Sequence, residues 1–460
     1  MQVTKKLRTI LVSLFLLLVF IFLATWREDS RTKNSIKKVW IITDLHQLSP
    51  DLQDGKSAFK TIQATAAGKD LRYGKDRMEA LLLQAKREKP DLLIVSGDLT
   101  FNGEYQSLKD LSETFQAFEK NGIQVLVEPG NHDIADGWAR EFRGNKQYKT
   151  KQISKDDFET LMADFGYQEA DARDKSSLTY LAKVSPKQWF LMIDSNIYSD
   201  DVGKGAPATN GRLKKKTLSF IEKQLSAAKE QGALVIPVMH HNVLNQHQQP
   251  QQGYTLDNAP DLRKLYAKYD QKIALSGHIH TQNIKQDTLI GGASLTEIVT
   301  GAFSIPPASI GELRFEKDSL YYQQLALDMK HWLKKQSATN QDLINHRQYM
   351  DSIFNDASNL LVHMRLHDEG WYDGDVAEEV STIIESVNLA YFTGQPIDNH
   401  WMEEHVYRKK IYQEVKTNHP DSFVVTYVEQ VLAESRDGSD QKIRITLKTP
   451  KETDDDNDND

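Results

Sequence analysis

The sequence predicts a layered α/β domain followed by a separate α-helical domain. Short apolar runs alternate with segments of helical period up to about residue 327, and beyond that point only amphipathic helical patterns follow. With 460 residues, of which 39% are hydrophobic and 27% charged, the chain can build one large domain and a smaller companion. We expect these domains at residues 36–327 and 328–440, with an acidic tail at 441–460 that ends in a disordered run at 454–460.

Apolar runs predict the strands of the first domain. They lie at 39–43, 91–96, 123–128, 189–194, 233–239 and 272–275. Helical periodicity predicts helices at 76–88, 108–118 and 217–231. Pro90, Gly122 and Gly232 follow these helices and are placed to end them. The polar stretch at 49–73 has weak periodicity, which predicts a long loop over one end of the sheet.

Amphipathic stripes predict the helices of the second domain. One stripe consists of Met350, Phe354, Ala357, Leu361 and Met364. Another consists of Val376, Val380, Ile384, Val387 and Tyr391, and that helix is expected to end at Gly394. Further helical segments are expected near 401–415 and 423–433.

The N-terminal segment predicts a membrane location. Lys5, Lys6 and Arg8 precede an apolar run at 10–26, whose length is at the short end of what spans a bilayer, roughly 17 to 25 residues. Because positive charge favours the cytoplasmic side, residues 1–30 are expected to anchor a single-pass cell-membrane protein whose folded domains are extracytoplasmic. A cleaved signal peptide with secretion is the alternative, although Phe22 and Ala24 make a poor cleavage site.

Charge and cysteine content exclude several classes of function. The formal net charge is -8, so no overall basic field exists to hold a nucleic-acid backbone, and polymeric nucleic acid is not an expected partner. The sequence contains no cysteine, which excludes disulfides, thiolate nucleophiles and cysteine-based zinc sites. Metal binding is left to His, Asp, Glu and Asn.

Five short polar motifs follow one another along the first domain, most of them where a predicted strand ends. They are Asp44-Leu45-His46, Gly97-Asp98, Gly130-Asn131-His132-Asp133, His240-His241 and Gly277-His278-Ile279-His280. Each motif alone is more often a helix cap or a turn than a site. All five occur once, in order and after strands, which favours one shared site at the carboxyl edge of the sheet.

The residue types in these motifs predict a hydrolytic centre with two metal ions. Asp98 is the natural bridge, because a carboxylate has two oxygens and a negative charge that offsets the repulsion between neighbouring cations. Asp44, His46 and His280 are expected to complete one metal site, and Asn131, His240 and His278 the other. In an extended segment His278 and His280 would point the same way and so reach one centre. Oxygen and nitrogen ligands favour manganese, iron or zinc.

The remaining polar residues of the motifs predict the catalytic groups. A hydroxide that bridges the metals is the expected nucleophile, since coordination lowers the pKa of bound water. His132 is expected to protonate the departing oxygen or to stabilise charge in the transition state. Asp133 is expected to orient that imidazole and bias its charge. Phe101, Asn102 and Tyr105 follow the bridging aspartate and are candidates for substrate contact.

The ordered set of motifs closely resembles the calcineurin-like metallophosphoesterase superfamily over about 39–322. Within it the pattern looks most like class III cyclic nucleotide phosphodiesterases, including a bacterial subgroup with a helical C-terminal domain. The resemblance implies a metallophosphoesterase-type double β-sheet sandwich flanked by helices, with a C-terminal α-helical domain. It places the family's catalytic histidine on His132. It places the metal ligands on Asp44, His46, Asp98, Asn131, His240, His278 and His280.

Two positions depart from patterns within that superfamily. Asn242 follows the histidine doublet where many members have proline, so either His240 or His241 could be the ligand, and chain order favours His240. Pro129 precedes Gly-Asn-His where the serine/threonine protein phosphatases carry an arginine that grips phosphate. A phosphoprotein substrate is therefore not expected.

The resemblance implies hydrolysis of a small phosphodiester, with a cyclic nucleotide as the first candidate. The second hypothesis is an extracellular phosphomonoesterase or nucleotidase. A monoester is dianionic and usually calls for an extra cation near the phosphate, and the sequence offers no convincing one. The third hypothesis is a catalytically inactive scaffold that binds a partner, against which the complete ligand set argues.

Overall fold

The computed structural model describes residues 35–134, 137–198, 206–247, 252–336, 339–435 and 439–447. The predicted membrane anchor and the acidic run at 454–460 lie outside these ranges. Among the helices inside them, none combines the length and the apolar character that crossing a bilayer requires.

The strands follow most of the apolar runs of the sequence. They are β1 (Lys38–Ile42), β2 (Leu92–Ser96), β3 (Gln124–Glu128), β4 (Arg140–Arg143), β5 (Lys146–Lys149), β6 (Ala172–Arg173), β7 (Tyr180–Ser185), β8 (Gln188–Ile193), β9 (Leu234–Met239), β10 (Ile273–Ser276), β11 (Asn283–Thr288), β12 (Ser294–Val299), β13 (Ser309–Phe315), β14 (Ser319–Ala326) and β15 (Lys442–Thr446). Each of the six predicted strands is therefore confirmed to within two residues at either end.

The strands form two large sheets and a small hairpin of β4 and β5. One sheet has the order β15-β14-β13-β1-β2-β3, and the other has the order β11-β12-β10-β9-β8-β7-β6. The strands β1, β2 and β3 run parallel to one another, as do β8, β9, β10 and β12. Val125 of the first sheet and Phe190 and Ile236 of the second share one buried core, so the sheets pack face to face. This confirms the expected double-sheet architecture.

Helices cover the outer faces of both sheets and also form the C-terminal domain. They are α1 (Ser57–Ala64), α2 (Gly74–Glu88), α3 (Tyr105–Glu119), α4 (Lys155–Leu161), α5 (Lys215–Gln231), α6 (Ala259–Lys268), α7 (Met329–Gln336), α8 (Gln341–Ile344), α9 (His346–Asp368), α10 (Gly374–Phe392), α11 (Asn399–Met402), α12 (Lys410–Asn418) and α13 (Phe423–Glu434), with single helical turns at Pro50–Leu52, Ala163–Tyr167 and Glu403–Tyr407. Leu81 and Phe115 pack α2 and α3 against the first sheet. Ile221 and Leu262 pack α5 and α6 against the second. Gly232 ends α5 with a φ of 58°, as predicted.

The prediction of a long loop over 49–73 is wrong in part, because the segment contains α1. Ala58 and Phe59 of this helix are buried in a small apolar cluster beneath it. The helix is only 8 residues long, which is too short for helical periodicity to stand out in a polar stretch.

The helical domain is confirmed, but the predicted face of its longest helix needs a correction. The buried positions of α9 are His346, Met350, Phe354, Ser358, Val362 and Leu366. Leu361 and Met364 of the predicted stripe are 36% and 56% exposed. The buried positions are four residues apart, and four residues make slightly more than one helical turn, so the buried stripe winds around α9. Met350 is therefore buried against the first domain and Leu366 within the second.

The tail boundary also needs a correction. The prediction of an acidic tail over 441–460 is wrong in part, because β15 lies within that segment and pairs antiparallel with β14. Its alternating side chains place Ile445 in the core of the first domain. The chain therefore returns from the helical domain to the edge of the first sheet.

Candidate metal centre

Three motifs lie where the parallel strands β1, β2 and β3 end, and the other two lie where the parallel strands β9 and β10 end. Backbone hydrogen bonds hold neighbouring motifs together. The amide of Asp44 donates to the carbonyl of Gly97 over 3.1 Å, and the amide of His46 donates to the carbonyl of Asp98 over 3.0 Å. In the second sheet, the amide of Gly277 donates to the carbonyl of His240 over 3.0 Å. The predicted site at the carboxyl edge of the strands is therefore formed, with contributions from both sheets.

The backbone at this edge adopts an unusual conformation. Positive φ angles of 52°, 43°, 48°, 73° and 61° occur at Asp44, His46, Asp98, His278 and His280, respectively. Left-handed backbone is uncommon for residues other than glycine and tends to cluster at functional sites. The premise that His278 and His280 lie in an extended segment is therefore wrong, although both side chains reach the same centre.

One group of potential ligands surrounds the first position. Asp44, His46, Asp98 and His280 each offer an atom, and these atoms all lie within 4.8 Å of one another. The Nε2 atoms of His46 and His280 are 3.1 Å apart, and Nε2 of His280 is 3.4 Å from Oδ1 of Asp44. These are the four residues that the sequence predicts for one metal site.

A second group shares Asp98 with the first. Ligand atoms of Asp98, His240 and His278 also lie within 4.8 Å of one another. Oδ1 of Asp98 is 3.4 Å from Nε2 of His240, and Oδ2 of Asp98 is 3.6 Å from Nε2 of His46. Oδ1 of Asn131 lies 3.1 Å from Nε2 of His240. The two oxygens of Asp98 therefore face different groups, which is the geometry a bridging carboxylate requires.

The donor set fits a pair of metal ions. Ligands that hold a cation at about 2.1 Å stand roughly 3.0 to 3.4 Å from one another, close to the separations found here. Oδ1 of Asp44 is buried without a hydrogen-bond partner among the described residues, which would leave it free to bind a cation. The clustered His and Asp side chains are thus suited to a dinuclear metal site.

The electrostatics of the two groups favour metal-binding protonation states. Burial alone would raise the pKa of Asp98, but the imidazoles of His240, His132 and His46 hold it well below its usual value. Burial lowers the pKa of His278 to about 4, so its ring is neutral. Burial opposes protonation of His240 as well, yet the charge of Asp98 raises its pKa to about 10. A proton and a metal ion compete for that nitrogen, so metal binding would release the proton.

The structure distinguishes between the two histidines of the doublet. His240 directs Nε2 at Asp98 and donates from Nδ1 to the carbonyl of Ser96 over 3.0 Å. His241 instead lies 2.8 Å from the hydroxyl of Ser195 and 3.2 Å from the carbonyl of Thr209. His240 is therefore the member of the pair that faces the site, as chain order favours.

His132 lies beside both groups with one ring nitrogen already engaged. Its Nδ1 is 3.0 Å from the carbonyl oxygen of Phe101 and 2.9 Å from Oδ1 of Asn102. A carbonyl oxygen can only accept, so Nδ1 is the donor and Nε2 is free. The ring of His46 meets that of His132 edge-on, with centroids 5.0 Å apart. Asn102, a candidate for substrate contact, also orients this imidazole.

The predicted role of Asp133 needs a correction. Its carboxylate accepts hydrogen bonds from the amides of Leu99, Thr100 and Gly130 at 2.8 to 3.1 Å, and from the hydroxyl of Thr100 at 2.8 Å. These bonds use the carboxylate oxygens to tie two motif loops together. Asp133 therefore holds the two loops together, and Phe101 and Asn102 orient the ring of His132.

A cation near the centre was missed in the sequence. Lys69 lies in the turn between α1 and α2 and is only 9% exposed. Burial lowers the pKa of Lys69, and the negative charges of Asp98 and Asp44 oppose this effect. Lys69 stands in the polar stretch taken for a loop and belongs to no motif, so no local pattern pointed to it.

A two-sheet α/β fold with paired His/Asp groups at the strand ends fits a metal-dependent hydrolase with two metal ions. A family model described as calcineurin-like phosphoesterase matches residues 37–282, and one described as the C-terminal domain of cyclic nucleotide phosphodiesterase matches residues 328–437. The first match covers more than half of the chain. The chain therefore belongs to the calcineurin-like phosphoesterase family.

Individual proteins show more distant similarity. A probable glycerophosphodiester phosphodiesterase, GpdQ, from Arcobacter nitrofigilis is 28% identical over 196 residues, which are 42% of this chain and 58% of that protein. The matched region thus spans less than two thirds of that relative. A dimetal phosphatase from Danio rerio has a TM-score of 0.44 and 13% identity, covering 64% of this chain and 97% of its own. GAP50 of Plasmodium has a TM-score of 0.36 and 13% identity, covering 64% and 86%, respectively.

Proposed function

We propose that this protein hydrolyses small phosphodiesters, with cyclic nucleotides as the first substrate class, at a dinuclear metal centre. The observation that carries the proposal is the shared carboxylate of Asp98, whose two oxygens face His46 and His240 at 3.6 and 3.4 Å. Two cations bound there would stabilise charge on the phosphoryl oxygens and supply a water of lowered pKa to attack phosphorus.

The ligands proposed for the two cations are those the sequence predicts. Asp44, His46, Asp98 and His280 would hold one, and Asp98, Asn131, His240 and His278 would hold the other. The donors are carboxylate, amide and imidazole groups, which suit manganese, iron or zinc.

The proposed role of His132 rests on its tautomer. Phe101 and Asn102 engage Nδ1, which leaves Nε2 to carry a proton to the departing oxygen. Burial lowers the pKa of His132 and so favours a neutral ring, whose Nε2 would accept the proton released by the attacking water and pass it to the departing oxygen. The fixed ring also limits the motion needed before transfer.

The substrate class rests on the two distant comparisons. The helical domain matches a domain described for cyclic nucleotide phosphodiesterase, which supports a cyclic nucleotide. The similarity to a probable glycerophosphodiester phosphodiesterase supports a glycerophosphodiester as a second candidate. Both are small monoanionic diesters.

The test is a substrate screen with the purified full chain, stripped of metal and reloaded with manganese. We expect turnover of a cyclic nucleotide or a glycerophosphodiester, and faster turnover of bis(p-nitrophenyl) phosphate than of p-nitrophenyl phosphate. The activity of Asp98→Ala should be at least about 100-fold lower, which is more than the usual effect of removing a residue that only hydrogen-bonds to a metal ligand. Asp356→Ala, at an exposed aspartate of α9, serves as the control.

Two outcomes would replace the proposal. Preference for the monoester would favour the phosphomonoesterase or nucleotidase hypothesis. Fewer than one bound metal per chain, with no turnover after manganese is added, would favour the inactive scaffold.

We also propose that residues 1–30 anchor the chain in the cell membrane with the catalytic domain outside. The support is the charged and apolar pattern of that segment. Protease treatment of intact cells should degrade the catalytic domain, and protection of that domain would contradict the proposed orientation.

A further inference from the structure

Hydrogen bonds of its backbone hold the turn that carries Lys69 beside Asp44. Its carbonyl accepts a hydrogen bond from Nε2 of Gln63 at 2.7 Å. The next amide, of Asp70, donates to the carbonyl of Ser304 over 2.8 Å, and the hydroxyl of Ser304 donates to the carbonyl of Asp44 over 2.8 Å. Two hydrogen bonds thus connect the turn that carries Lys69 to a proposed metal ligand.

The helical domain supports this turn from the other side. The hydroxyl of Tyr349 in α9 donates to Oδ1 of Asp70 over 3.1 Å. A Cβ atom at Gly68 would lie 2.7 Å from the ring of Phe354, so α9 packs directly on the turn. The position of Lys69 is therefore fixed by both domains.

The side chain of Lys69 is buried beside the turn that contacts Asp44, and its ammonium group has no partner of its own among the described residues. Among the residues that the structure describes, no hydrogen bond or ion pair engages its Nζ atom. Burial lowers the pKa of His46 and His132, and the positive charge of Lys69 lowers both further. Lys69 also interacts with Asp44 and Asp98. Its charge therefore acts on both ligand groups and on the proposed proton donor.

A buried positive charge in this position requires an anion. Asp44 and Asp98 are the only carboxylates among the proposed ligands, so they would offset half of the charge of two divalent cations. A neighbouring ammonium would be repelled by such a centre unless a negatively charged group lay between them. A phosphoryl group has oxygens to spare for such a contact.

We infer that Lys69 binds a non-bridging oxygen of the substrate phosphoryl group and is a substrate-binding residue of the site. The inference rests on the proposed function and adds a cation that the superfamily's protein phosphatases would supply from the position occupied here by Pro129. A charge-assisted hydrogen bond of this kind strengthens as negative charge grows on phosphorus oxygens in the transition state. The contact would add more to the binding of a dianionic monoester than of a diester, so Lys69 is the extra cation that the phosphomonoesterase hypothesis lacks in the sequence.

The experiment compares Lys69→Met with the wild-type protein, both loaded with manganese. Methionine keeps the length and apolar stem of the side chain and removes the charge. We expect two bound metals in both proteins, and an affinity for inorganic phosphate, measured by calorimetry, that is weaker by about 10- to 100-fold in the variant. The kcat/KM should fall by more for p-nitrophenyl phosphate than for bis(p-nitrophenyl) phosphate, because the monoester carries the extra charge. Lys60→Met, at an exposed position of α1, should change neither quantity.

The outcomes separate this inference from the proposed function. Unchanged phosphate affinity and an unchanged ratio of the two kcat/KM values in Lys69→Met would overturn the inference while leaving the phosphodiesterase intact. Absence of turnover in the wild type would remove the proposed function, whereas the phosphate measurement needs no turnover. If the variant does not fold, phosphate should still protect Lys69 of the wild type from a small amine-modifying reagent, and lack of protection would refute the contact.

Discussion

The buried ion pair between Asp70 and Arg77 gives the sharpest stability prediction. Both side chains are 1% exposed, and Asp70 also accepts the hydrogen bond from Tyr349. Asp70→Asn keeps the size of the side chain but leaves the guanidinium buried without its counter-charge. The change acts at the turn beside Lys69, so it tests the support of the site as well as the fold.

The magnitude follows from the burial of the pair. Removing one partner of a buried pair costs about 3 to 5 kcal/mol, because the remaining charge has lost its solvation and its counter-ion. The nearby carbonyl of Asp70 still accepts a hydrogen bond of 2.8 Å from Arg77, so we expect the lower half of this range. The pair of Arg173 and Glu159 is 36% and 39% exposed, and Glu159→Gln should cost less than about 1 kcal/mol.

Urea unfolding, followed by far-ultraviolet circular dichroism, measures both variants. The reasoning requires a much lower midpoint for Asp70→Asn than for Glu159→Gln at similar slopes. A loss below about 1 kcal/mol in Asp70→Asn would refute it. Phosphate affinity should also weaken in Asp70→Asn, since the backbone that positions Lys69 is loosened.

Three further results are expected. Burial lowers the pKa of His346 to about 4, so below pH 6.5 the unfolded chain binds a proton there more readily than the folded chain does. The stability that is present above pH 6.5 should therefore be lost as the pH falls toward 4, by about 2 kcal/mol at pH 5. Urea midpoints of His346→Phe should lack this pH-dependent component. His240→Ala should lose one of two bound metals, and its activity should fall at least about 100-fold. His241→Ala should keep both metals, and its activity should fall less than about tenfold. Metal analysis and kinetics measure the two effects. Asn102→Ala should lower kcat by about 10- to 100-fold with metal content unchanged, because it frees the ring of His132; an unchanged kcat would show that the carbonyl of Phe101 suffices.

Much of the site could be predicted because its residues follow strands that the sequence marks clearly. Strands buried on both faces, such as β2, appear as continuous apolar runs, and each proposed ligand lies one to four residues beyond such a run. Parallel strands of one sheet end at a common edge, so local patterns were enough to bring Asp44 and Asp98 together.

The parts that could not be predicted depend on contacts between distant segments. Asp133 follows His132 directly, whereas Asn102 precedes it by 30 residues, yet the path of the loops brings Asn102 and not Asp133 to its ring. Lys69 reaches the centre through Ser304, which is more than two hundred residues away along the chain. No period or motif encodes such a contact.

The return of β15 to the first sheet has a practical consequence for dissecting the protein. A version that stops after β14 would leave that strand as a bare edge, with its backbone donors and acceptors open to pairing with other molecules. It would also strip Tyr349 and Phe354 from the turn at Lys69. Aggregation and weak activity of such a fragment would then report a cut through a single cooperative unit. Fusing the closing strand directly to β14 by a short hairpin would restore the sheet edge but not the contacts at Lys69.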